Sequence, residues 1–239
     1  MKILVLLRGW RRTPNGPLDM ERIGHYERLA LGAALALKES RDDDVSVGAL
    51  AAGSETEDEA LAVAHALGVE NTYRVWDPIL REIDAFGVAQ ALSAAAQHIG
   101  YDLLLAGFRS PDHRQGFMGP AVADGLSITQ LPGALELRWA GDALEAVRGY
   151  DACKYTHRLE TPCLVTIAGG PDPGTAKPTE NHQPKLLTLD DVGLEETRLR
   201  PRVQLQGEII ATHTEPYVTA FVDDASSVIE HLRNVDAFL

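Results

Sequence analysis

Cysteine is almost absent from this chain of 239 residues, which contains only Cys153 and Cys163. Two cysteines without C-x-x-C spacing cannot supply a disulfide framework, a zinc cage or an iron–sulfur cluster. We expect both to pack as small apolar groups, and we expect a reducing cytoplasm as the location. The histidines are scattered without ligand spacing, so we expect no metal site.

Basic residues and long apolar runs are also scarce. Lys and Arg number 22 against 35 Asp and Glu, which gives a net charge of -13. A surface of that sign repels a polyanion, so nucleic acid is not expected as a partner. The N-terminal run Met1–Leu7 stops at Arg8 without a small-residue cleavage site, and no window approaches the about 18 to 20 apolar residues that span a bilayer. We therefore expect a soluble protein without membrane insertion.

Apolar runs and helical periodicity alternate along the first half of the chain. The strands predicted from these runs cover residues 2–7, 45–51, 73–76 and 102–107, and the helices cover 23–40, about 54–67 and 85–99. A capping box, Ser54-x-x-Glu57 or Thr56-x-x-Glu59, is available to begin the second helix. This alternation predicts βαβ units and therefore an α/β fold with a Rossmann-like parallel sheet covered on both faces.

The segment after the fourth strand differs from its surroundings. Residues 108–115 are polar, and a short helix is predicted over 116–125. A loop that leads from the carboxyl end of a parallel strand into a helix is where such sheets bind ligands. Gly107, Ser110 and Gly116 permit the close approach that backbone N–H groups need around an anion. A plain strand-to-helix turn is the alternative interpretation.

Beyond this loop the pattern changes to shorter strands, predicted at 134–139, 143–150, 155–159 and 163–167. Gly141-Asp142 predicts the turn of an added β-hairpin region. After Ala168 apolar residues become sparse, and such a segment cannot fold a core of its own. We therefore divide the chain into a ligand-binding α/β domain, 1–168, and an extended C-terminal arm, 169–239, which is expected to wrap a partner and to end in an amphipathic helix over 226–239.

Three stretches, read in order, resemble the electron transfer flavoprotein beta subunit family. The first is Tyr26-Glu27 leading into Leu35-x-Leu37-Lys38-Glu39, which is similar to the entry into the family's first helix. The second has the length of the family's nucleotide loop and reads Gly107-Phe108-Arg109-Ser110-Pro111-Asp112-His113-Arg114-Gln115-Gly116-Phe117-Met118-Gly119-Pro120. The third is similar to the family signature and reads Arg148-x-x-Asp151-x-x-x-x-Thr156-x-Arg158-Leu159-x-x-Pro162-x-x-Val165-Thr166. Ala152-Cys153 stands where the family prefers Gly-Gly.

The resemblance implies an adenine nucleotide alpha hydrolase-like fold that holds AMP, or the ADP half of a second FAD. The nucleotide-binding positions that it implies are Leu6, Ala52, Gly53, Gly107, Arg109, Ser110, Asp112, Arg114, Gln115 and Gly116. Asp112 is expected to bond a ribose or to cap the following turn. Arg109 and Arg114 are expected either to pair with phosphate or to be solvated.

The resemblance further implies one FAD, bound mainly by an alpha subunit, with Tyr26 in the wall near the flavin or, alternatively, in the core. Redox chemistry then belongs to the cofactor, so the chain is expected to be an electron carrier without catalytic residues. The heterodimer would pass electrons from a flavin-dependent dehydrogenase to a quinone oxidoreductase and the respiratory chain. Because residues 169–185 depart from the family's Pro- and Lys-rich recognition loop, we expect a specialised dehydrogenase as the donor.

Two other functions compete with this one. In an electron-bifurcating flavoprotein the chain would help to bind a second FAD and NADH, and the flavin content of the heterodimer would reveal that. A stand-alone nucleotide-binding regulatory module would instead be stable without an alpha subunit, which the sparse arm after Gly169 argues against.

Overall fold

A mixed β-sheet organises the structure, a computed structural model that describes residues 1–8, 23–41, 45–110, 114–174 and 182–203. Its strands are β1 Lys2–Leu7, β2 Ser46–Ala52, β3 Asn71–Val75, β4 Leu103–Gly107, β5 Thr129–Ala140, β6 Ala143–Tyr150, β7 Cys153–Leu159, β8 Cys163–Ile167 and β9 Lys185–Leu187. Its helices are α1 His25–Glu39, α2 Asp58–Ala66, α3 Ala85–Ile99 and α4 Met118–Leu126. The terminal helix predicted over 226–239 lies outside the described residues.

The strand order is β7-β6-β5-β8-β4-β1-β2-β3-β9. β1 pairs in parallel with both β2 and β4, β3 is parallel to β2, and β8 is parallel to β4. The chain therefore builds outward from β1 to β3 on one side and then returns to place β4 on the other side. That reversal makes the junction of β1 and β4 the topological switch point of the sheet. The predicted α/β class and its Rossmann-like sheet are confirmed.

Helices cover both faces of the sheet. Ile3, Val5 and Leu7 pack into one apolar cluster with α1 and α2, while Leu4 and Leu6 pack into the other with α3 and α4. Residues 3–7 are all buried, which explains why β1 is a continuous apolar run rather than an alternating one. None of the helices among the described residues is long and apolar enough to cross a membrane.

The start of α2 differs from the prediction. A 3-10 turn, Glu55–Glu57, precedes the helix, and neither Ser54 nor Glu57 makes a side-chain cap hydrogen bond. The capping-box prediction was wrong, and the hydroxyl of Ser54 instead bonds to that of Thr56, at 3.2 Å. Asp84 does cap its helix, since its carboxylate accepts from the Gly87 N–H at 3.0 Å at the start of α3.

Strand β5 begins five residues earlier than predicted and pairs with two strands. It is parallel to β8 up to Leu131 and again at Ala134, and it is antiparallel to β6 from Ala134 onward. Pro132 and Gly133 lie at the irregularity in the ladder with β8. Gly133 has a φ of 73° and donates its N–H to Thr166 Oγ1 at 2.9 Å. The side chain of Thr166 thus replaces a hydrogen bond of the ladder. For this reason a Pro-Gly pair, which usually ends a strand, can lie within β5.

The described part of the predicted arm packs on the domain. Lys185–Leu187 forms β9, which pairs in parallel with β3. The buried leucines of this segment join the α3 and α4 face, and they are Leu187, Leu189, Leu194 and Leu199. Segment 169–174 crosses α1, where Arg28 forms an ion pair with Asp172 at 2.7 Å. Packing on a partner remains a prediction.

The two cysteines differ in their surroundings. Cys163 is buried in β8, and burial raises the pKa of its thiol to about 11. Cys153 is exposed at the start of β7, so the expectation that both pack as apolar groups was wrong for this residue. It follows directly on the turn that joins β6 to β7, where the chain leaves the sheet and side chains meet solvent.

The turn between β6 and β7 includes Ala152, one of the two positions at which the family prefers glycine. Tyr150 and Cys153 are paired in the antiparallel register of β6 and β7, which leaves Asp151 and Ala152 as a two-residue turn. Both turn residues have positive φ, 47° and 59°, as in the type I′ turns that match strand twist. The left-handed region is costly for a residue with a Cβ. Ala152 therefore carries backbone strain.

We expect Ala152→Gly to raise the free energy of unfolding by about 0.5 to 1 kcal/mol, because glycine adopts positive φ without the Cβ clash. Urea denaturation would measure the change. Ala140→Gly, at an exposed position of β5, is the matched control and should lower stability by about 0.5 to 1 kcal/mol. A destabilised Ala152→Gly would contradict the strain at this turn.

Candidate functional site

A cavity of about 420 Å³ lies at the carboxyl ends of β1, β2 and β4. This volume is within the range of small-molecule sites. The lining residues are Leu6, Leu7, Arg8, Glu27, Ala52, Glu57, Leu80, Ile83, Asp84, Ala85, Val88, Leu92, Ala106, Gly107, Ser110, Gln115, Phe117 and Met118.

Chain topology opens the cavity. The helices that follow β1 and β4 along the chain, α1 and α4, lie on opposite faces of the sheet, and a crevice at the switch point is expected between such elements. The strand ends there carry small residues, Ala52, Ala106 and Gly107, so a ligand can approach the sheet closely. The first residue of α4, Met118, also reaches the lining, which brings the positive end of that helix dipole to the cavity.

Backbone hydrogen bonds fix the loop between β4 and α4. The Ser110 N–H donates to the Gln115 carbonyl at 3.1 Å, and the Arg114 N–H donates to the Ser110 carbonyl at 3.1 Å. At the start of the loop, the Phe108 N–H donates to the Ile167 carbonyl at 3.0 Å. Ser110 and Gln115 are therefore joined across the loop, and both line the cavity.

The loop glycines have packing roles. A Cβ on Gly107 would lie 3.0 Å from both the carboxyl carbon and the backbone nitrogen of Glu27, so its absence lets the start of α1 approach β4. A Cβ on Gly116 would lie 3.0 Å from the Phe108 carbonyl oxygen. Both glycines hold the site together through close backbone packing, a role that the loop pattern did not reveal.

Five of the predicted nucleotide-binding residues meet at the cavity, namely Leu6, Ala52, Gly107, Ser110 and Gln115. Gly53 follows Ala52 and donates its N–H to the Val75 carbonyl at 3.1 Å. Gly116 stands between two lining residues of the loop. The remaining loop residue, Asp112, lies outside the described residues.

Tyr26, Arg109 and Arg114 do not line the cavity. Tyr26 is half-buried, and its ring meets that of Phe108 edge-on with centroids 6.0 Å apart. The Arg109 guanidinium lies over the same Phe108 ring, 5.2 Å from its centroid. Arg114 has a φ of 52° within the loop. Phe108 thus organises an aromatic cluster beside the cavity, and the expected phosphate contacts of the two arginines stay predictions.

The sequence patterns did not predict that charged residues line the cavity. They are Arg8, Glu27, Glu57 and Asp84. Glu27 is buried at the first turn of α1, and Glu57 packs against Gly53, where a Cβ would meet its Cγ at 2.8 Å. Charged residues near strand and helix ends usually indicate solvated turns, so only the fold shows that these converge. Among the described residues, no cluster of three or more His, Cys, Asp and Glu is arranged for a metal ion.

Asp84 links the cavity rim to the described end of the arm. In addition to capping α3, its Oδ2 accepts from the N–H groups of Arg202 at 2.7 Å and Val203 at 3.0 Å. The Arg202 guanidinium lies 3.4 Å from the centroid of the Phe86 ring. Burial opposes the charge on Asp84, but the backbone N–H groups outweigh it and lower the pKa of this carboxyl below 3.8.

The start of α4 packs directly on β8. A Cβ on Gly119 would lie only 2.4 Å from Thr166 Cγ2. Thr166 is buried, and its hydroxyl accepts the Gly133 N–H. The Thr166 side chain therefore contacts β5 and α4 from its position in β8. These contacts give a physical reason for Gly119 in the nucleotide-loop pattern and for Thr166 in the family signature.

Comparison with known proteins identifies the family of this chain. The electron transfer flavoprotein domain matches residues 20–191, which is more than half of the chain. The chain belongs to the electron transfer flavoprotein family. The family prediction made from the three stretches is confirmed.

Four relatives that match the chain are named as beta subunits, and another is named as a gamma subunit. The electron transfer flavoprotein subunit beta of Thermoanaerobacterium thermosaccharolyticum is 24% identical over 221 residues, 84% of either chain. That of Methylophilus methylotrophus is 28% identical over 130 residues, 54% of this chain and 49% of the relative. The acryloyl-CoA reductase electron transfer subunit gamma of Anaerotignum propionicum is 27% identical over 161 residues, 64% of this chain and 60% of the relative. The last two matches thus span only about half of the relatives' length.

We expect Gly119→Ala to lower the free energy of unfolding by about 1 to 3 kcal/mol, because the new methyl group overlaps Thr166 Cγ2. Adding Thr166→Ser should recover much of that loss, since serine keeps the hydroxyl that accepts the Gly133 N–H and removes the methyl group. Urea denaturation of the two single variants, the double variant and the parent measures the coupling. Strictly additive effects would contradict this contact.

We expect Asp84→Asn to lower the free energy of unfolding by about 1 to 2 kcal/mol at neutral pH, because the amide has one acceptor oxygen where the carboxylate has two. The pKa of Asp84 is lowered on folding, so its contribution is complete above the unfolded pKa of 3.8 and is lost as the pH falls through the folded pKa. The difference between parent and variant should therefore shrink below about pH 4. Urea denaturation at pH 7 and in acid tests this, and a pH-independent difference would contradict it.

Proposed function

We propose that this chain is the beta subunit of a heterodimeric electron transfer flavoprotein of the bacterial cytoplasm and that it binds AMP structurally in the cavity. The supporting observation is the convergence of Leu6, Ala52, Gly107, Ser110 and Gln115 on one cavity at the switch point. Those residues come from three strands and a loop, and in the sequence they lie up to about a hundred positions apart. A plain turn after β4 would not require such a convergence.

The residues present suit a mononucleotide. Small residues at the ends of β2 and β4 let a flat base approach the sheet, and the Ser110 hydroxyl and Gln115 amide offer polar partners. The N-terminus of α4 favours an anion, and Arg8 adds a cation to the lining. The carboxylates in the same lining oppose further negative charge, so a monophosphate fits better than a di- or triphosphate.

The redox role would come from FAD, held mainly by the alpha subunit, which supplies hydride and one-electron chemistry when bound. This chain would contribute a surface beside the flavin and an aromatic cluster in which Tyr26 contacts Phe108. Tyr26 lies outside the cavity lining, so its proposed position next to the flavin concerns the outer surface of this cluster. The chain itself would act as an electron carrier subunit, without a catalytic acid, base or nucleophile.

We further propose that a specialised dehydrogenase donates the electrons and that a quinone oxidoreductase accepts them. One relative carries the name of a single reductase, which agrees with beta-type chains that serve one enzyme. Residues 169–174, where the family's recognition loop would begin, are held on α1 by the Arg28–Asp172 ion pair. Residues 169–174 are therefore part of the surface that we propose a donor contacts.

Mass spectrometry of the nucleotides released from the chain, produced together with the alpha subunit encoded beside it, tests this function. We expect one FAD and one AMP per heterodimer. Two FAD would instead support a bifurcating flavoprotein. A chain that holds a nucleotide but does not co-purify with the alpha subunit would support a stand-alone regulatory module, and a chain with neither partner nor nucleotide would contradict the proposed function.

The cavity itself is tested by Ala52→Leu, which fills space at the end of β2. We expect at least a tenfold, or about 1.4 kcal/mol, loss of AMP affinity in calorimetry with the nucleotide-free pair. Ala140→Leu, at an exposed position of β5, is the matched control and should bind AMP like the parent. Equal binding by both variants would place AMP elsewhere.

A further inference from the structure

The strand β7 lies at one end of the described sheet and is exposed along most of its length. The side chains of Lys154, Tyr155, Thr156 and Arg158 are exposed, and Tyr155 keeps 47% of its surface in solvent. Seven residues of β7 run without glycine or proline. A long, regular edge of this kind is a template for another strand unless something prevents pairing.

The hairpin geometry decides which backbone groups are available. The two-residue type I′ turn makes Tyr150 and Cys153 a hydrogen-bonded pair, and bonded and non-bonded pairs then alternate along the antiparallel ladder. Counting from Cys153, the residues that direct N–H and C=O away from β6 are Lys154, Thr156 and Arg158. An added strand would bond to these three.

The β7 edge carries positive charge on a chain whose net charge is negative. β7 contains Lys154, His157 and Arg158 and no acidic residue, in a chain whose net charge is -13. Lys154 has a weak ion pair with Glu136, with the nitrogen and oxygen 3.5 Å apart and 70% of the lysine side chain exposed. The edge therefore presents cations beside outward-facing backbone groups.

Arg158 faces an acidic residue within the sheet, but that residue is already engaged. Glu145 is opposite Arg158 in the register of β6 and β7, and its carboxylate bonds to Arg138 at 3.2 Å. The guanidinium of Arg158 is thus left exposed at the edge, able to pair with an incoming carboxylate.

The same charges act against a second copy of this chain. Antiparallel pairing of two β7 strands about Thr156 would place Lys154 of each copy opposite Arg158 of the other, and like charges directly opposite are destabilising. Lysine on an edge is a common device against such pairing. A strand with acidic residues at the matching positions meets no such repulsion and gains two cross-strand ion pairs.

We propose that β7 is the docking edge for an extended strand of the alpha subunit, and that this strand carries Asp or Glu opposite Lys154 and Arg158. The backbone groups of the outward-facing residues supply affinity, and the two cations supply selectivity against self-association. This inference rests on the proposed heterodimer. It assigns a docking role to the second half of the hairpin, which lies at the opposite end of the sheet from β3 and β9.

Thr156→Pro is the decisive variant, because it removes an outward N–H and leaves the ladder bonds to β6 intact, and proline is tolerated on edge strands. We expect at least a tenfold weaker affinity for the alpha subunit by biolayer interferometry, with unchanged thermal unfolding of the chain alone. Thr156→Ala is the matched control and should bind like the parent. Lys154→Glu combined with Arg158→Glu should weaken binding by at least tenfold, increasingly so at low salt.

Hydrogen exchange gives an independent readout. The amides of Lys154, Thr156 and Arg158 should exchange quickly in the chain alone and slowly in the heterodimer, while Tyr155 and His157 should be protected in both. If the parent forms the heterodimer and neither the variants nor the three amides respond, the docking edge is overturned while the proposed function stands. If the parent forms no heterodimer, both fail. A homodimer of the chain alone that Thr156→Pro dissociates would show a second copy as the occupant.

Discussion

Burial of β1 on both faces is the constraint on which the rest of this structure depends. Residues 3–7 are inaccessible because α1 and α2 cover one face and α3 and α4 cover the other. Such a strand must be central, and a central first strand obliges the chain to add strands on both of its sides. The cavity follows from that reversal, since its lining begins at the last residues of β1.

Close contacts between backbone and side chains then give the site its shape. The absence of a side chain at Gly107 lets the start of α1 pack against β4, and its absence at Gly119 lets α4 pack against Thr166. Two helices therefore begin within van der Waals distance of strands. These contacts fix the positions of Gly107 and Gly119, which lie on either side of Ser110 and Gln115 in the sequence. Binding groups that are already held in place lose less conformational entropy when a ligand binds. The patterns shared with the electron transfer flavoprotein family are, in this sense, packing requirements as much as ligand contacts.

The two edges of the sheet differ in what covers them. On the side of β3, the segment ending at Val203 closes over α3 through Asp84 and buried leucines. On the other side, none of the described strands pairs with the outer edge of β7, which is exposed and carries Lys154 and Arg158 on a protein of negative net charge. One edge is therefore completed from within the chain, and the other is the edge that we propose for a partner strand.

Local patterns predicted most elements well, and the exceptions share one cause. Ala85–Ile99 and Cys163–Ile167 appear where their periodicity and apolar runs placed them. β9 was missed because three residues in a sparse segment carry no pattern, and it forms because β3 offers a free edge and a core for Leu187. The early start of β5 was missed because Thr166, distant in sequence, bonds to Gly133 and replaces the ladder.

The sequence by itself determined the α/β class, the family and the loop that follows β4, because hydrophobic period and glycine spacing are local properties. Only the tertiary structure decided which residues form the cavity. Asp84 and Glu57 reach it, while Arg109 and Tyr26 gather around Phe108 instead. The reason is physical: a side chain's neighbours depend on strand order and helix packing, which bring together residues that no local pattern connects.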